Sequence, residues 1–506
     1  MNYSPKGLYM WDAWYMPLGD EVHMYHLQRS RPDADLPPGH EDWLGHAVTR
    51  DLIEWEERPI AYGPQPGNPL EDAQPWTGCA LWHQGQGYLF YTMRGLQAPQ
   101  IQRIGLATTR DPDKWERYAG NPLIVPDSKK YASVGHPIPN LLDCRDLIII
   151  PDPKGKGWLG FYATRQPGRE LPETSCIACV WSADLINWEH RPPAFAPNKY
   201  ACIEVPDVFE VDGLWYLTCL TGNWYGNLGL FSQPYVTHGT IFAVSERPEG
   251  PYEELKDNVL LGAHTGAHIS CRTVMRQGER YLLYTDRERV PANDKGKVHL
   301  GTLSTPKLLK RDGQRLYPAY CPLIEKRITD EPVGPGRPLA PSADIRRWGQ
   351  IWDFDTAKWT FEGDVVEGSS RTGWGIAPTD LSVESFIFEA TVTLEHGRAA
   401  GLALRMDQGL EAGVVALDAE DQCVYFGEAP AFEFVERHMM PIQRQKAYRL
   451  RIVGRREHLE VYVDDELCLA FPYYRAMCGR LGCFVDRGKT RITGARVARL
   501  RVDKPE

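Results

Sequence analysis

Three acidic residues of this chain sit in settings where a carboxyl group could do proton chemistry. Glu204 lies in Cys202-Ile203-Glu204-Val205-Pro206-Asp207, among apolar neighbours and two residues before a proline. Desolvation favours the neutral carboxyl and raises its pKa, which suits a general acid working near neutral pH. Pro206 biases the residues before it toward extended backbone, so Glu204 is expected at a strand end or loop mouth. Asp12 is walled by Trp11, Trp14 and Tyr15, and an acid in such company is costly unless hydrogen bonds or a ligand engage it. Asp146 follows Arg145 and opens the apolar run Leu147-Ile148-Ile149-Ile150; an adjacent guanidinium favours the ionised form. Singly, each also reads as a turn carboxylate or a strand-end ion pair. The chemistry depends on whether they meet.

The elements that must position them are strands. Glu204 leads into a hairpin whose turn is Asp212-Gly213 and whose return is Leu214-Trp215-Tyr216-Leu217. Short aromatic runs recur at 88–92, 157–162 and 280–284, each after a Gly-bearing turn. A repeat accompanies them: a hydroxyl residue, Asp two positions later and Trp four beyond that, at Thr49-Asp51-Trp55, Thr109-Asp111-Trp115 and Ser182-Asp184-Trp188, with a degenerate copy from Ser245 to Tyr252. The spacing, roughly 60–70 residues, accommodates four strands and long loops per propeller blade, and about five such units fit. Residues 326–350 are rich in Pro and Gly and read as a linker. Beyond them, 385–394, 401–405, 413–417, 448–453 and 459–463 alternate apolar and polar, as strands with one wet face do. The expected organisation is a propeller over 1–325 and a β-sandwich over 351–506.

Composition narrows the functional classes. The net charge of −10 and the lack of a basic cluster argue against nucleic acid. No apolar run is long enough to span a membrane, and the N-terminus does not read as a signal peptide. The 12 cysteines are scattered. Cys176 and Cys179 lie in a strand-like segment that would send them to opposite faces, which argues against a zinc or redox pair. A reduced, cytoplasmic protein is expected. His264 and His268 lack a third ligand and read as a loop at a pocket rim, so neither metal nor cofactor is expected. The 16 Trp and 24 Tyr suit sugar stacking and β cores alike.

The chain resembles glycoside hydrolase family 32, the invertase, inulinase and levanase group. Asp42-Trp43-Leu44-Gly45-His46-Ala47-Val48-Thr49-Arg50-Asp51-Leu52-Ile53-Glu54-Trp55 is very close to one signature segment of that family. The segment from Tyr9 to Tyr15, Trp76-Thr77-Gly78, Arg145-Asp146 and Glu204-Val205-Pro206-Asp207 resemble others, in the same order. The resemblance implies a five-bladed β-propeller followed by a C-terminal β-sandwich, and retaining hydrolysis of fructosyl linkages. It implies Asp12 as nucleophile, Glu204 as acid/base and Asp146, helped by Arg145, as transition-state stabiliser. Trp43, Thr77 and Gln28 are implied as pocket residues, with Trp11 where the family carries a sugar-binding Asn. That replacement bears on which fructosyl compound fits. The expected partner is a small-molecule or oligosaccharide substrate; a homo-oligomer stays open. Two other readings stay open too: an arabinoside- or xyloside-type propeller hydrolase, and an inactive carbohydrate-binding protein.

Overall fold

The computed structural model describes residues 3–501 apart from 33, 38, 98–100, 133–142, 228–231, 265–267, 294, 335, 337, 339–356, 408–410, 431–432 and 476. Among these residues nearly all regular structure is strand, and the helical pieces are short 3-10 turns at His40–Asp42, Asn223–Tyr225 and Pro322–Arg327.

Five antiparallel blades form the propeller. The innermost strands are Leu8–Leu18, Trp76–His83, Arg145–Pro151, Glu204–Val211 and His268–Arg276. They stand in sequence order around one axis, and the fifth returns to the first. Blades two, three and four are separate four-stranded sheets. Ring closure uses both ends of the propeller, with Tyr3 paired to Leu303 and Met10 to Gly301.

The repeat seen in the sequence builds the outer turn of the first four blades, the fourth through its degenerate copy. The Thr49 hydroxyl accepts from the backbone N–H of Asp51 and Leu52, and the Asp51 carboxylate accepts from Ile53 and Glu54. Ser182 and Asp184 do the same for Asp184, Ile186 and Asn187. Short polar side chains thus replace missing ladder bonds at the corner. Trp115 and Trp188 close their turns by donating the indole N–H to Pro112 O (2.9 Å) and Leu185 O (3.2 Å). In the degenerate fourth copy, the Tyr252 hydroxyl donates to Pro248 O at 2.8 Å. Strand alternation separates Cys176 from Cys179: the first packs between blades two and three, the second between three and four.

The sandwich is built on three long strands, Val365–Val383, Phe386–Met406 and Gly479–Arg499. Its core includes Phe388, Leu402, Val415, Phe426 and Leu450. The two strands expected at 385–394 and 401–405 are one continuous strand. Its register shifts between Leu394 and His396, and Gly397, at φ 101°, passes so close to Arg487 O that a side chain there would collide with it. Val333 pairs with Val497 on the sandwich, and residues 339–350 of the expected linker lie outside the described residues.

Propeller and sandwich share an apolar seam that includes Tyr216, Leu282 and Leu316 on one side and Ile387, Val453 and Leu467 on the other. Arg315 grips Glu466 through two bonds of 2.6 and 2.7 Å.

Candidate active site

Every innermost strand carries the same irregularity at its start. Two residues face one across the ladder at Trp11-Asp12, Thr77-Gly78, Asp146-Leu147, Val205-Pro206 and Ile269-Ser270. A bulge of this kind twists the strand and re-aims its side chains. Repeated five times around an axis, it gathers residues from all blades at one end of the propeller.

Three carboxyls converge there. Asp12 is 8% exposed and accepts a short hydrogen bond from the Thr77 hydroxyl of blade two. Asp146, 2% exposed, accepts from the backbone N–H of Val205 at 2.9 Å, while its own N–H donates to the Thr92 hydroxyl at 3.1 Å. Glu204 receives a short hydrogen bond from the phenol of Tyr225 at one oxygen and the Arg145 guanidinium at the other, at 3.0 and 3.2 Å. Arg145 also lies 2.6 Å from Asp143 and 3.5 Å from Asp146. One buried guanidinium therefore answers three acids from two blades.

Glu204 opens its strand, as expected, but its surroundings differ from the sequence reading. Its functional end has a cation and a phenol as neighbours, not the apolar company of its sequence. Nor is the backbone before Pro206 extended: Val205 lies at φ 49°, rare for a β-branched residue. The bond from Val205 N–H to the Asp146 carboxylate holds that conformation. Asp146, itself at φ 62°, thereby fixes the peptide that presents Glu204. Strained backbone held by its surroundings is typical of functional sites.

The acids disturb one another. Burial pushes the Asp12 carboxyl above its ordinary range and the charge of Glu204 adds to this; Thr77, Ser270 and Arg272 pull the other way. Burial also raises Asp146; Arg145 opposes this, and Glu204 and Asp12 push further up. Asp143 goes down: burial would raise it, but Arg145 and Arg165 outweigh burial. Carboxyls crowded in this way keep protons that isolated ones release.

Thr77 and Arg145 touch the carboxyls directly. Trp11 is half-buried and packs toward blade two with Trp14 and Trp76. Gln28 is buried but donates to His40 O at 3.0 Å and lines a cavity of about 280 Å³ with His46, Glu57 and Arg58. Trp43, 36% exposed, covers Gly63 so closely that a Cβ there would enter the indole. Among the described residues no hydrogen bond or ion pair joins the side chains of Gln28 or Trp43 to the carboxyls. Sequence reasoning missed Ser270, Tyr225, Thr92 and Arg272. Thr92 and Ser270 carry no motif, and Tyr225 follows an ordinary strand. Only the shared bulge position would have exposed Ser270. Among the described residues no group of three His, Cys, Asp or Glu could hold a metal. The segment between His264 and His268 lies outside the described residues. Among the described residues, no helix is long and apolar enough to cross a membrane.

The fold and site define a five-bladed propeller with an acid cluster at its axis, capped by a sandwich. Residues 4–214 match the profile of the glycosyl hydrolases family 32 N-terminal domain. An acid beta-fructofuranosidase 4 of Arabidopsis thaliana is 33% identical over 129 residues, covering 24% of this chain and 17% of that protein. A levanase of Bacillus subtilis is 28% identical over 215 residues, covering 39% and 28%. The chain thus spans less than a third of the length of these curated relatives. Over the whole chain the fold matches an exo-inulinase from Aspergillus awamori, with TM-score 0.70, 16% identity and coverage of 100% and 98%. It also matches fructan 1-exohydrolase IIa from Cichorium intybus, with TM-score 0.69, 14% identity and coverage of 99% and 97%. At such identities the likeness is one of fold.

Proposed function

We propose that this protein is a retaining glycoside hydrolase that cleaves β-fructofuranoside-like linkages. The observation that carries the reading is the meeting of Asp12, Asp146 and Glu204, from three blades, around Thr77, Arg145 and Tyr225. Asp12 attacks the anomeric carbon, and Glu204 protonates the departing oxygen. A fructosyl–enzyme ester forms as the glycosidic bond breaks. Water then enters, Glu204 takes its proton, and the ester to Asp12 is released with retained configuration. Retention needs these two carboxyls about 5–5.5 Å apart. Asp146 grips the ring hydroxyls as positive charge develops. Among relatives of the same fold, the Cichorium intybus enzyme is described in complex with 1-kestose and a Bombyx mori beta-fructofuranosidase in complex with sucrose. These support a fructosyl substrate here. All twelve cysteines are free, eleven of them buried, which supports a reducing compartment such as the cytoplasm.

The test is incubation with sucrose, inulin, levan and aryl glycosides, followed by identification of the released sugar and its first-formed anomer by NMR. Fructose released as the β-anomer supports the proposal. Release of arabinose or xylose, or inversion, points to another propeller hydrolase. Binding without turnover leaves a carbohydrate-binding protein.

A further inference from the structure

Glu204 is held at both ends by one chain of contacts, and the reaction above uses a single link of it, Arg145. At the carboxyl end, Arg145 donates Nε and Nη2 to Glu204 Oε2. Its remaining nitrogen, Nη1, lies 2.6 Å from Asp143 Oδ1, with Gln102 Oε1 at 3.3 Å. Asp143 Oδ2 accepts in turn from Nε of Arg165 at 2.5 Å. Arg165 ends the second strand of blade three, Trp158–Arg165, and is 4% exposed. Its Nη1 donates to the Thr174 hydroxyl at 2.7 Å and makes a short bond to the main-chain oxygen of Ala201. Ala201 stands three residues before Glu204. The contacts thus close a ring: the Glu204 carboxyl, Arg145, Asp143, Arg165 and the peptide that leads back to Glu204.

That peptide lies ahead of the strand Glu204–Val211, and side chains take up its backbone groups. Asn227, 1% exposed, accepts from Ala201 N–H at 2.8 Å and donates to Cys202 O at 3.0 Å. The Thr221 hydroxyl also donates to Cys202 O, at 2.7 Å, and the Ser175 hydroxyl accepts from Ile203 N–H at 2.9 Å. Arg165 adds a charged donor at Ala201 O. Asp143 decides where Arg145 points. Arg145 Nε also lies 3.5 Å from Asp146 Oδ2, so two acids compete for one edge of the guanidinium. With Nη1 anchored on Asp143, that edge stays on Glu204. Burial would raise the pKa of Asp143, but Arg145 and Arg165 outweigh burial and hold it below its ordinary range, so the anchor is an anion at neutral pH. A buried ion pair adds little net stability, whereas a fully connected polar network specifies one arrangement.

We infer that Asp143 and Arg165 are positioning residues for the acid/base: a relay of alternating charge that locks the Glu204 carboxyl, and the peptide bearing it, into the pose from which its proton reaches the departing oxygen. The inference rests on the reading of Glu204 as the acid/base. Both residues act through Arg145 and the main chain.

The experiment compares the parent with Asp143→Asn and Arg165→Lys on two substrates. One is an unactivated fructoside, sucrose or inulin, whichever the parent cleaves. The other is nitrophenyl β-fructofuranoside, whose phenolate leaves without a proton. Both variants are expected to lower kcat/KM for the unactivated fructoside by about 10- to 100-fold, part of what a well-placed general acid contributes. For the nitrophenyl compound kcat/KM should stay within a few-fold of the parent's. Its kcat and KM should fall together, because breakdown of the fructosyl ester, which uses Glu204 as base, becomes limiting. A merely structural role would lower the melting temperature and weaken both substrates alike. Equal losses on the two substrates, or no loss on either, overturn the inference. If Asp143→Asn does not fold, Arg165→Lys carries the comparison, since one ammonium cannot span Asp143 and Ala201 O as the guanidinium does. A parent inactive on both substrates overturns the function proposed above and this inference with it; an active parent whose variants lose equally overturns this inference alone.

Discussion

Two buried knots of charge in this protein use the same residue types to opposite effect. At the seam between propeller and sandwich, Glu460 is 2% exposed and meets Lys307 at 2.9 Å, Tyr462 at 2.6 Å, Tyr284 at 3.2 Å and the Arg455 guanidinium. Burial alone would raise its pKa, but Arg455 and Lys307 outweigh burial and hold it down at about 2. At the axis, Asp143, Asp146 and Glu204 share Arg145, and burial and mutual repulsion push Asp12 and Asp146 up. The difference is stoichiometry. Where cations match the acid, the knot is a fastener. Where acids outnumber the cations paired with them, the arrangement costs stability, and chemistry is the usual reason for such a cost.

The sharpest way to break the comparison is to neutralise one acid in each knot. Asp12→Asn is expected to lower kcat about 10⁴-fold or more, with the melting temperature unchanged or raised, because a repelled buried charge is gone. Steady-state rates and a thermal melt check both halves; a large loss of stability with activity retained would reverse the assignment. Glu460→Gln should do the opposite. It strands Lys307 and Arg455 without a counter-charge and is expected to cost about 3–5 kcal/mol of stability. Activity per folded molecule should stay near the parent's, as read by denaturant unfolding and active-fraction assays.

The pH dependence of stability sharpens the contrast. The folded pKa of Glu460 is depressed, so its stabilisation is present above its unfolded value of about 4.3 and is lost as the pH falls toward 2, a change on the order of 3 kcal/mol. Asp12 and Asp146 have raised folded pKa values. In the window above about 3.9 the native state binds more protons than the unfolded chain, so their contribution falls as the pH rises. Denaturant midpoints measured from pH 2 to 8 should climb through the first window. In Asp146→Asn the decline through the second should flatten. A smaller effect is expected for Tyr225→Phe, which removes one donor from Glu204: kcat about tenfold lower, with KM affected less.

Much of the architecture was legible because it rests on local chemistry. The Thr49-Asp51, Thr109-Asp111 and Ser182-Asp184 turns are written in side chains that bond their own backbone, so their spacing marks the blades. The Asp212-Gly213 hairpin follows from residues that tolerate positive φ. Period-two alternation separated Cys176 from Cys179. The same locality explains the failures. Glu204 looked apolar because its neighbours along the chain are, yet Arg145 comes from another blade and Tyr225 from beyond the next strand. The strand from Phe386 to Met406 was cut in two because its continuity depends on the partner Gly479–Arg499, not on its own residues.

The amino-acid order alone determined the strands, the turn repeat and three acids in unusual settings, since each depends on residues a few positions apart. The tertiary structure alone decided which acids face one another, which cation serves which acid and why Val205 holds a strained φ. Electrostatic energy depends on distance through space, and ring closure is what brings residues hundreds of positions apart within a few ångströms of one another.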